Sequence, residues 1–484
     1  MFGQIFGGRG VLNSLASEEA TKTGKSRTRS EGGHGEDLLV PRRRKAVRTA
    51  GNGAPEFTSE MLKDMEKLFG VRMNRVVQAS LATCVRCGLC SDACHYSLAM
   101  PDDETMAPMY KAETFRQWYR SRYDWVGKLL PSFVGAQRLT KELAAEMYDK
   151  LWSACTMCRR CTFNCPFGLD YGMLVRTARG IMAEVGAVPE NLQNVVDVHI
   201  NTGNAVGMPR KEFLGTIHEV ERRLKSQNGC ENFSIPIDKR RSKYLLTLNP
   251  PETDGYPSTI EAAAKVFNAA GADFTISSRC WDLTNYGLFS GVDADTQLLA
   301  KRLVYETVRL DCEYLVAFEC GHGYRVVRWE MPNWFGELPF KITSAVELLS
   351  EFIQRGRLTV DKSVYDGMRF TYHDSCNNAR SGGIIEEPRI VIASAAHDFV
   401  EMKHNKLNSF CCSGGGGALA MPEYSDRRLT GARIKAQEIA DTQADVVLHS
   451  CRNCADQLKT IVEHYSLDVR VMSLSELLAA ALVL

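Results

Sequence analysis

At 484 residues, 44% of them hydrophobic, the chain exceeds a single hydrophobic core and is expected to fold as two or three domains of about 100–200 residues each. Its formal net charge of +1 gives no bulk attraction for nucleic acid or for an acidic surface. No apolar run approaches the roughly 20 residues of a membrane span, and the N-terminus has no charged start followed by an apolar stretch, which argues against a secretory signal.

Arg42, Arg43 and Arg44 lack a following hydrophobic stretch and do not form a twin-arginine export signal. The seventeen cysteines are therefore expected to meet reducing conditions, with thiols free to bind metal. Thirteen of them fall into patterned groups, which disfavours a disulfide framework.

Residues 1–55 form a basic arm, with ten basic against five acidic residues in the first fifty. It is too poor in apolar residues to order itself: either a solvated tail, or an arm that orders on a partner subunit or an anionic membrane face. Residues 56–240 read as helical, with Met61, Leu62, Met65, Leu68 and Phe69, then Leu143, Ala144, Met147 and Leu151, at helix spacing. Within this stretch Cys84, Cys87, Cys90 and Cys94 make C-x2-C-x2-C-x3-C, repeated by Cys155, Cys158, Cys161 and Cys165 before Pro166. In this spacing three sulfurs embrace one [4Fe-4S] cubane and the fourth ligates the other cluster. That pairs Cys84, Cys87 and Cys90 with Cys165, and Cys155, Cys158 and Cys161 with Cys94. Zinc sites come instead as separated C-x2-C pairs. His95 follows Cys94 where proline is usual, which alters the turn and removes no ligand. The sixty residues between the motifs carry Trp118, Tyr119, Tyr123 and Trp125, either as the core of a helical ferredoxin-like domain or as a docking face for a partner.

From residue 241 short apolar runs alternate with amphipathic helices, the order of parallel α/β units. The same order returns after Met368, and it has a register: Cys280 precedes Cys320 by 40 residues, as Cys411 precedes Cys451. Residues 241–364 and 365–484 thus read as two copies of one module, the first degenerate. Trp281 stands where the second copy has Cys412, Gly323 where it has Cys454, and Asn249 and Pro250 near the counterpart of Cys376.

The complete copy gathers Cys376, Cys411, Cys412, Cys451 and Cys454 within 79 residues. Zinc closes a structural site with four ligands, and a cubane takes four cysteines, so five imply a less common centre. Gly414 to Gly417 leaves backbone close to whatever these thiolates hold. His373 and His449 occupy matching places before Cys376 and Cys451, as proton donors to a leaving thiolate or as strand caps and partners of a cluster sulfur. Arg380 and Arg452 read either as solvated surface residues or as guides for an anionic sulfur compound or acidic partner. His322, with one neighbouring cysteine, does not read as a metal ligand; Cys230 reads as a loop thiol and Cys312 as a small buried residue. No G-x-G-x-x-G follows a strand, so no nicotinamide or flavin site is expected.

An eight-cysteine helical ferredoxin followed by tandem CCG modules resembles the catalytic subunit of the heterodisulfide reductase family, over residues 60–484. His373-Asp-Ser-Cys-Asn-Asn-Ala-Arg-Ser-Gly-Gly-Ile-Ile-Glu-Glu-Pro-Arg389 and Cys411-Cys-Ser-Gly-Gly-Gly-Gly417 most resemble its DsrK branch, the iron-sulfur subunits of the DsrMKJOP membrane complex of dissimilatory sulfur metabolism. The degenerate first module fits that branch, whereas heterodisulfide reductases proper are expected to keep both modules complete. Ser413 departs from the family's CCG glycine, and Asn377 and Asn378 occupy a variable stretch.

The resemblance implies two cubane [4Fe-4S] clusters and a noncubane [4Fe-4S] cluster on the five C-terminal cysteines, where an S–S bond is opened. It implies a cytochrome b membrane partner with further complex subunits, a DsrC-like sulfur carrier protein as substrate, and a cytoplasmic position attached to the membrane through those partners. Iron-sulfur subunits of flavin-linked glycolate and glycerol-3-phosphate dehydrogenases have a similar layout, in which this chain is a relay only.

Overall fold

The computed structural model describes residues 55–484; all but the last residue of the basic arm lies outside the described residues. The N-terminal part is helical, built around Ser59–Arg72 (α1), Pro108–Tyr123 (α2), Lys141–Ser153 (α3) and Tyr171–Glu184 (α4). Threonine hydroxyls cap α1 and α3: Thr58 accepts from the Met61 N–H and Thr140 from the Leu143 N–H, each at 3.2 Å. Phe69 and Trp118 stack in its core with ring centroids 3.9 Å apart. The aromatics between the cysteine motifs therefore divide, with Trp118 fully buried and Trp125 71% exposed.

Two further helices follow, Glu190–Thr202 (α5) and Arg210–Lys225 (α6). The sequence groups α6 with the helical domain, but Phe213, Ile217, Val220 and Leu224 line one face and pack into the core of the first α/β module. That module's core thus begins upstream of residue 241, because a parallel sheet needs helices on both faces.

The first module runs Tyr244–Leu246 (β1), Pro257–Ala269 (α7), Phe274–Ile276 (β2), Asp293–Leu310 (α8), Tyr314–Ala317 (β3), Gly321–Arg325 (α9), Lys341–Ser344 (β4) and Ala345–Gln354 (α10). The second runs Arg369–Tyr372 (β5), Glu387–Ala395 (α11), Asp398–Phe399 (β6), Ser425–Thr442 (α12), Val446–His449 (β7), Arg452–His464 (α13), Arg470–Ser473 (β8) and Leu474–Ala480 (α14). Each sheet is parallel with four strands, in the orders β2-β1-β3-β4 and β6-β5-β7-β8, and both pass directly from their last strand into a helix through a capping box, Ser344 with Glu347 and Ser473 with Glu476. The modules embrace reciprocally: α7 packs on α14, and α10 packs on α11.

In this strand order the chain leaves the first strand of each module to one side and the third to the other, which opens a crevice at their carboxyl ends. Cys376 follows β5 and Cys451 follows β7, so the second module presents two cysteines at its crevice. The first module's equivalent space is filled. Trp281 stacks on Phe213 with centroids 4.6 Å apart, and a side chain at Gly323 would stand 2.6 Å from Leu283 Cγ. Phe213→Ala removes a fully buried ring and is expected to cost about 3–5 kcal/mol, read as a lowered urea midpoint of tryptophan fluorescence.

Candidate metal centres

Both C-x2-C-x2-C loops fold alike. Left-handed residues stand two and four positions after the first cysteine of each, Arg86 and Gly88 in one, Met157 and Arg159 in the other. A single helical turn then carries the third cysteine, Cys90 on Leu89–Asp92 and Cys161 on Arg160–Phe163. Positive φ at non-glycine residues is strained, and such strain persists where surrounding structure over-determines it. Here it curls the loop so that its sulfurs converge.

Cys84, Cys87, Cys90 and Cys165 line one cavity of about 280 Å³, and Cys94, Cys155, Cys158 and Cys161 line another of about 460 Å³. These are the two sets that the motif spacing pairs. Tyr171 borders both cavities, its Oη 3.4 Å from Cys84 Sγ. The Lys111 Nζ is 3.9 Å from Cys94 Sγ. Cys87 is exposed at the outer cavity, among the exposed apolar side chains of Val85, Leu89 and Phe167. All seventeen cysteines are free, so the two cavities offer four thiols each to a four-iron cluster.

The third cavity, about 290 Å³, is lined by Cys376, Cys412, Cys451 and Cys454 with Phe289, His322, Ser375, Asn377, Gly415 and Asn453. Cys411 stands at its edge, within hydrogen-bonding reach of Cys376 on one side and of Cys158 on the other. Cys412 Sγ and Cys454 Sγ are 3.5 Å apart, well beyond a disulfide bond. All five cysteines are buried, and hydrogen bonds from Cys411 and Cys454 hold the Cys412 thiol well below its ordinary pKa, while Cys376 and Cys454 are pushed well above theirs, first by donating to neighbouring sulfurs and then by burial. Five buried thiols ionise together only with a cationic centre among them, so this donor set fits a multi-iron group.

Several interactions fix these loops. Arg389 makes a bidentate pair with Asp374 at 2.7 Å, anchoring the turn before Cys376. Asn378 donates to the Ser450 carbonyl at 2.9 Å and so ties the Cys376 turn to the Cys451 loop. From the first module, the Gly321 N–H donates to Cys451 Sγ at 3.4 Å. Gly416, at φ +66°, lies so close to Thr156 that a Cβ would meet its carbonyl carbon at 2.6 Å. The glycine run thus lets the loop of the cysteine pair lie backbone to backbone on the second ferredoxin motif.

Arg380 and Arg452, read from sequence either as solvated surface residues or as guides for an anionic sulfur compound or acidic partner, are buried. Arg380 donates to the carbonyls of Cys158, Leu407 and Ser409, at 2.9, 2.9 and 2.6 Å, and its charge lies beside Cys158 and Cys376. Arg452 stacks on Tyr256 at 3.7 Å and pairs with Asp456. Neither is accessible to an acidic partner. Arg179 was not legible as a site residue. It is fully buried and donates to the carbonyls of Leu151, Cys155 and Gly416 at 2.7 Å and of Phe289 at 3.0 Å. Burial pushes its guanidinium down to about 10, still charged at neutral pH. Arg160 adds a bond to the Asn408 carbonyl at 2.8 Å and stacks on Phe410.

Of the two roles expected for the histidines, His373 takes up the place of a partner to cysteine sulfurs. His373 lies with Cys412 and Cys454, their ligand atoms within 4.8 Å of one another, and His449 is buried beside His373 and Arg452. Neither borders the open cavity. His322 does, reaching it from the degenerate module with Nδ1 3.6 Å from Cys320 Sγ. Burial pushes His322 and His373 down to about 3, so both rings are neutral. His95 is buried against Cys158. Cys230, though in a loop, is fully buried, as is Cys312.

Residues 80–169 match the 4Fe-4S dicluster domain family, and residues 370–459 match the cysteine-rich domain family, CCG. The chain is similar in sequence to Hdr-like iron-sulfur subunits. It is 27% identical to the Hdr-like menaquinol oxidoreductase iron-sulfur subunit 2 of Archaeoglobus fulgidus, over 89% of this chain and 83% of that one. The corresponding protein of Archaeoglobus profundus is 28% identical over 89% and 84%. A subunit of the dihydromethanophenazine:CoB–CoM heterodisulfide reductase of Methanosarcina mazei is 26% identical over 87% of this chain and 99% of its own length. The segment that matches the dicluster family thus precedes the segment that matches the cysteine-rich family.

Arg179→Met leaves four buried carbonyls without their charged donor, and is expected to destabilise the protein by about 3–5 kcal/mol. Denaturant titration followed by iron-sulfur absorbance and tryptophan fluorescence should show the domains separating at a lower midpoint than in wild type.

Proposed function

We propose that this chain is the catalytic iron-sulfur subunit of a membrane-associated complex. It exchanges electrons between a quinone-linked cytochrome b partner and the S–S bond of a disulfide or trisulfide. Its affinities in sequence favour the DsrK branch, with a DsrC-like sulfur carrier as substrate. Among the described residues no helix is long and apolar enough to cross a membrane, and the proposed attachment runs through partner subunits.

The observation that carries this reading is the contact of Cys158 with Cys411. It joins the three thiol sets into one file: the outer cavity with exposed Cys87, Tyr171 between the first two cavities, then Cys158, Cys411 and the third cavity. Cubane [4Fe-4S] clusters on the first two sets and a noncubane cluster on Cys376, Cys411, Cys412, Cys451 and Cys454 would supply one-electron redox chemistry and an iron able to bind sulfur.

The residues do the rest. Opening R–S–S–R′ takes two electrons and two protons and yields two thiols; the quinol side supplies the electrons, and is oxidised, when the reaction runs in that direction. Phe289 lines the cavity, and the His322 ring, with Tyr286 and Phe289 packed on it, borders the cavity while its Nδ1 lies 3.6 Å from Cys320 Sγ. Asn377 and Asn453 offer amides to an entering sulfur compound.

Because Cys411 touches Cys158, Cys412→Ser is the cleaner probe of the third centre. It is expected to abolish reductive disulfide cleavage while leaving the dicluster paramagnetic signals intact. In wild type, oxidation with an isotopically sulfur-labelled disulfide should broaden a signal of the third centre. Wild-type cleavage by the Cys412→Ser protein would refute the assignment, and unbroadened signal with full iron content would make the chain a relay.

A further inference from the structure

A second, wider groove of about 760 Å³ opens where the dicluster domain and both α/β modules meet. Arg159, Asp170, Met173 and Arg176 line it from the dicluster domain, Arg325, Trp329, Glu330 and Asn333 from the first module, and Ser381 from the second. Two of its walls begin at the third cavity. His322 and Arg325 lie three residues apart on α9, and the turn that starts at Cys376 runs on to Ser381, whose N–H donates to the Cys376 carbonyl at 3.2 Å. The helix continues from Arg325 as a π-helical turn, Val326–Glu330, a deformation that recurs at functional sites.

Three guanidiniums and two carboxylates line the groove, with a third carboxylate, Asp293, behind Arg176, and the pairing leaves one guanidinium over. Arg159 pairs with Asp170 at 2.7 Å, and Arg176 with Glu330 at 2.6 Å and with Asp293 at 2.9 Å. Arg325, part-buried between them, has no ion pair among the described residues. Burial, with Arg159 and Arg176 and against the opposing pull of Glu330 and Asp170, pushes its guanidinium down to about 10. Arg159 Nε and Arg176 Nε are buried without hydrogen-bond partners, so donors outnumber acceptors. A desolvated guanidinium among others is costly unless an oxyanion completes it, and arginine's planar fork suits a carboxylate, sulfonate or phosphate. Trp329, half exposed, and Met173 supply an apolar wall for the stem behind such a group.

We infer that this groove is an anion-recognition site that takes the negatively charged terminus of the sulfur substrate and centres its S–S bond over the third cavity. The inference rests on the proposed disulfide chemistry, but the groove is testable apart from it. The probes are 3,3′-dithiodipropionate and octanedioate, which carries CH2–CH2 in place of S–S and cannot be reduced.

Calorimetric titration of the cluster-loaded full chain should show octanedioate binding at one site and the uncharged 1,8-octanediol not binding. Arg325→Ala should weaken octanedioate about 10- to 100-fold. Asn333→Asp, an isosteric change at an exposed position, should weaken it by about severalfold through added negative charge without disturbing folding. Unchanged affinity in both variants, or equal binding of the diol, overturns the site. Where Arg325→Ala loses cluster absorbance, Asn333→Asp decides alone. Octanedioate binding that obeys these rules, together with wild-type disulfide cleavage by the Cys412→Ser protein, upholds the groove and refutes the third-centre reading instead.

Discussion

Buried arginine side chains directed at backbone carbonyls hold this protein's cysteine-bearing loops in one assembly. Arg179 reaches Leu151 and Cys155 in the dicluster domain, Phe289 in the first module and Gly416 in the second. Arg160 and Arg380 do the same for the loop that leads into Cys411. Loops cannot supply regular backbone hydrogen bonds to one another, so their carbonyls need donors from elsewhere, and a guanidinium offers five in a fixed fork. Its charge serves a second purpose. Thiolate-rich centres are anionic, and a cation fixed a few ångströms behind the loops offsets that charge without occupying the cavity.

The duplicated α/β module explains where the third centre lies. A parallel sheet that reverses direction between its first and third strands leaves a crevice at their carboxyl ends, and the second copy uses its crevice for cysteines. The first copy fills the equivalent crevice with Trp281, Phe213 and Leu283, and becomes a wall for its neighbour. It supplies the Gly321 N–H to Cys451, the His322 ring and the Phe289 side chain. The first copy, which lacks the full set of cysteines, thus still borders the site.

The cysteine spacing alone pointed to two four-thiol sets and to which residues share each, the same sets that line the two cavities of the helical domain. The alternation of short apolar runs with amphipathic helices, and its return after Met368, likewise made the two parallel sheets legible, since hydrophobic period reports secondary structure directly. The boundary between the domains was not legible. The apolar stripe of α6 states that a face is buried, but not which core receives it.

What only the tertiary structure decided are the long-range contacts. The approach of Cys158 to Cys411, separated by 253 positions in the sequence (411 − 158), depends on Gly416 lying against Thr156. The placing of His322 rather than His449 at the third cavity, and the burial of Arg380 and Arg452, depend on how the two modules embrace. Sequence pattern reports which residue types recur along a helix, strand or loop; it carries no record of which loops meet once those elements pack. A three-part junction is set by packing and by carbonyls seeking donors across domain boundaries, and those are properties of the folded chain alone.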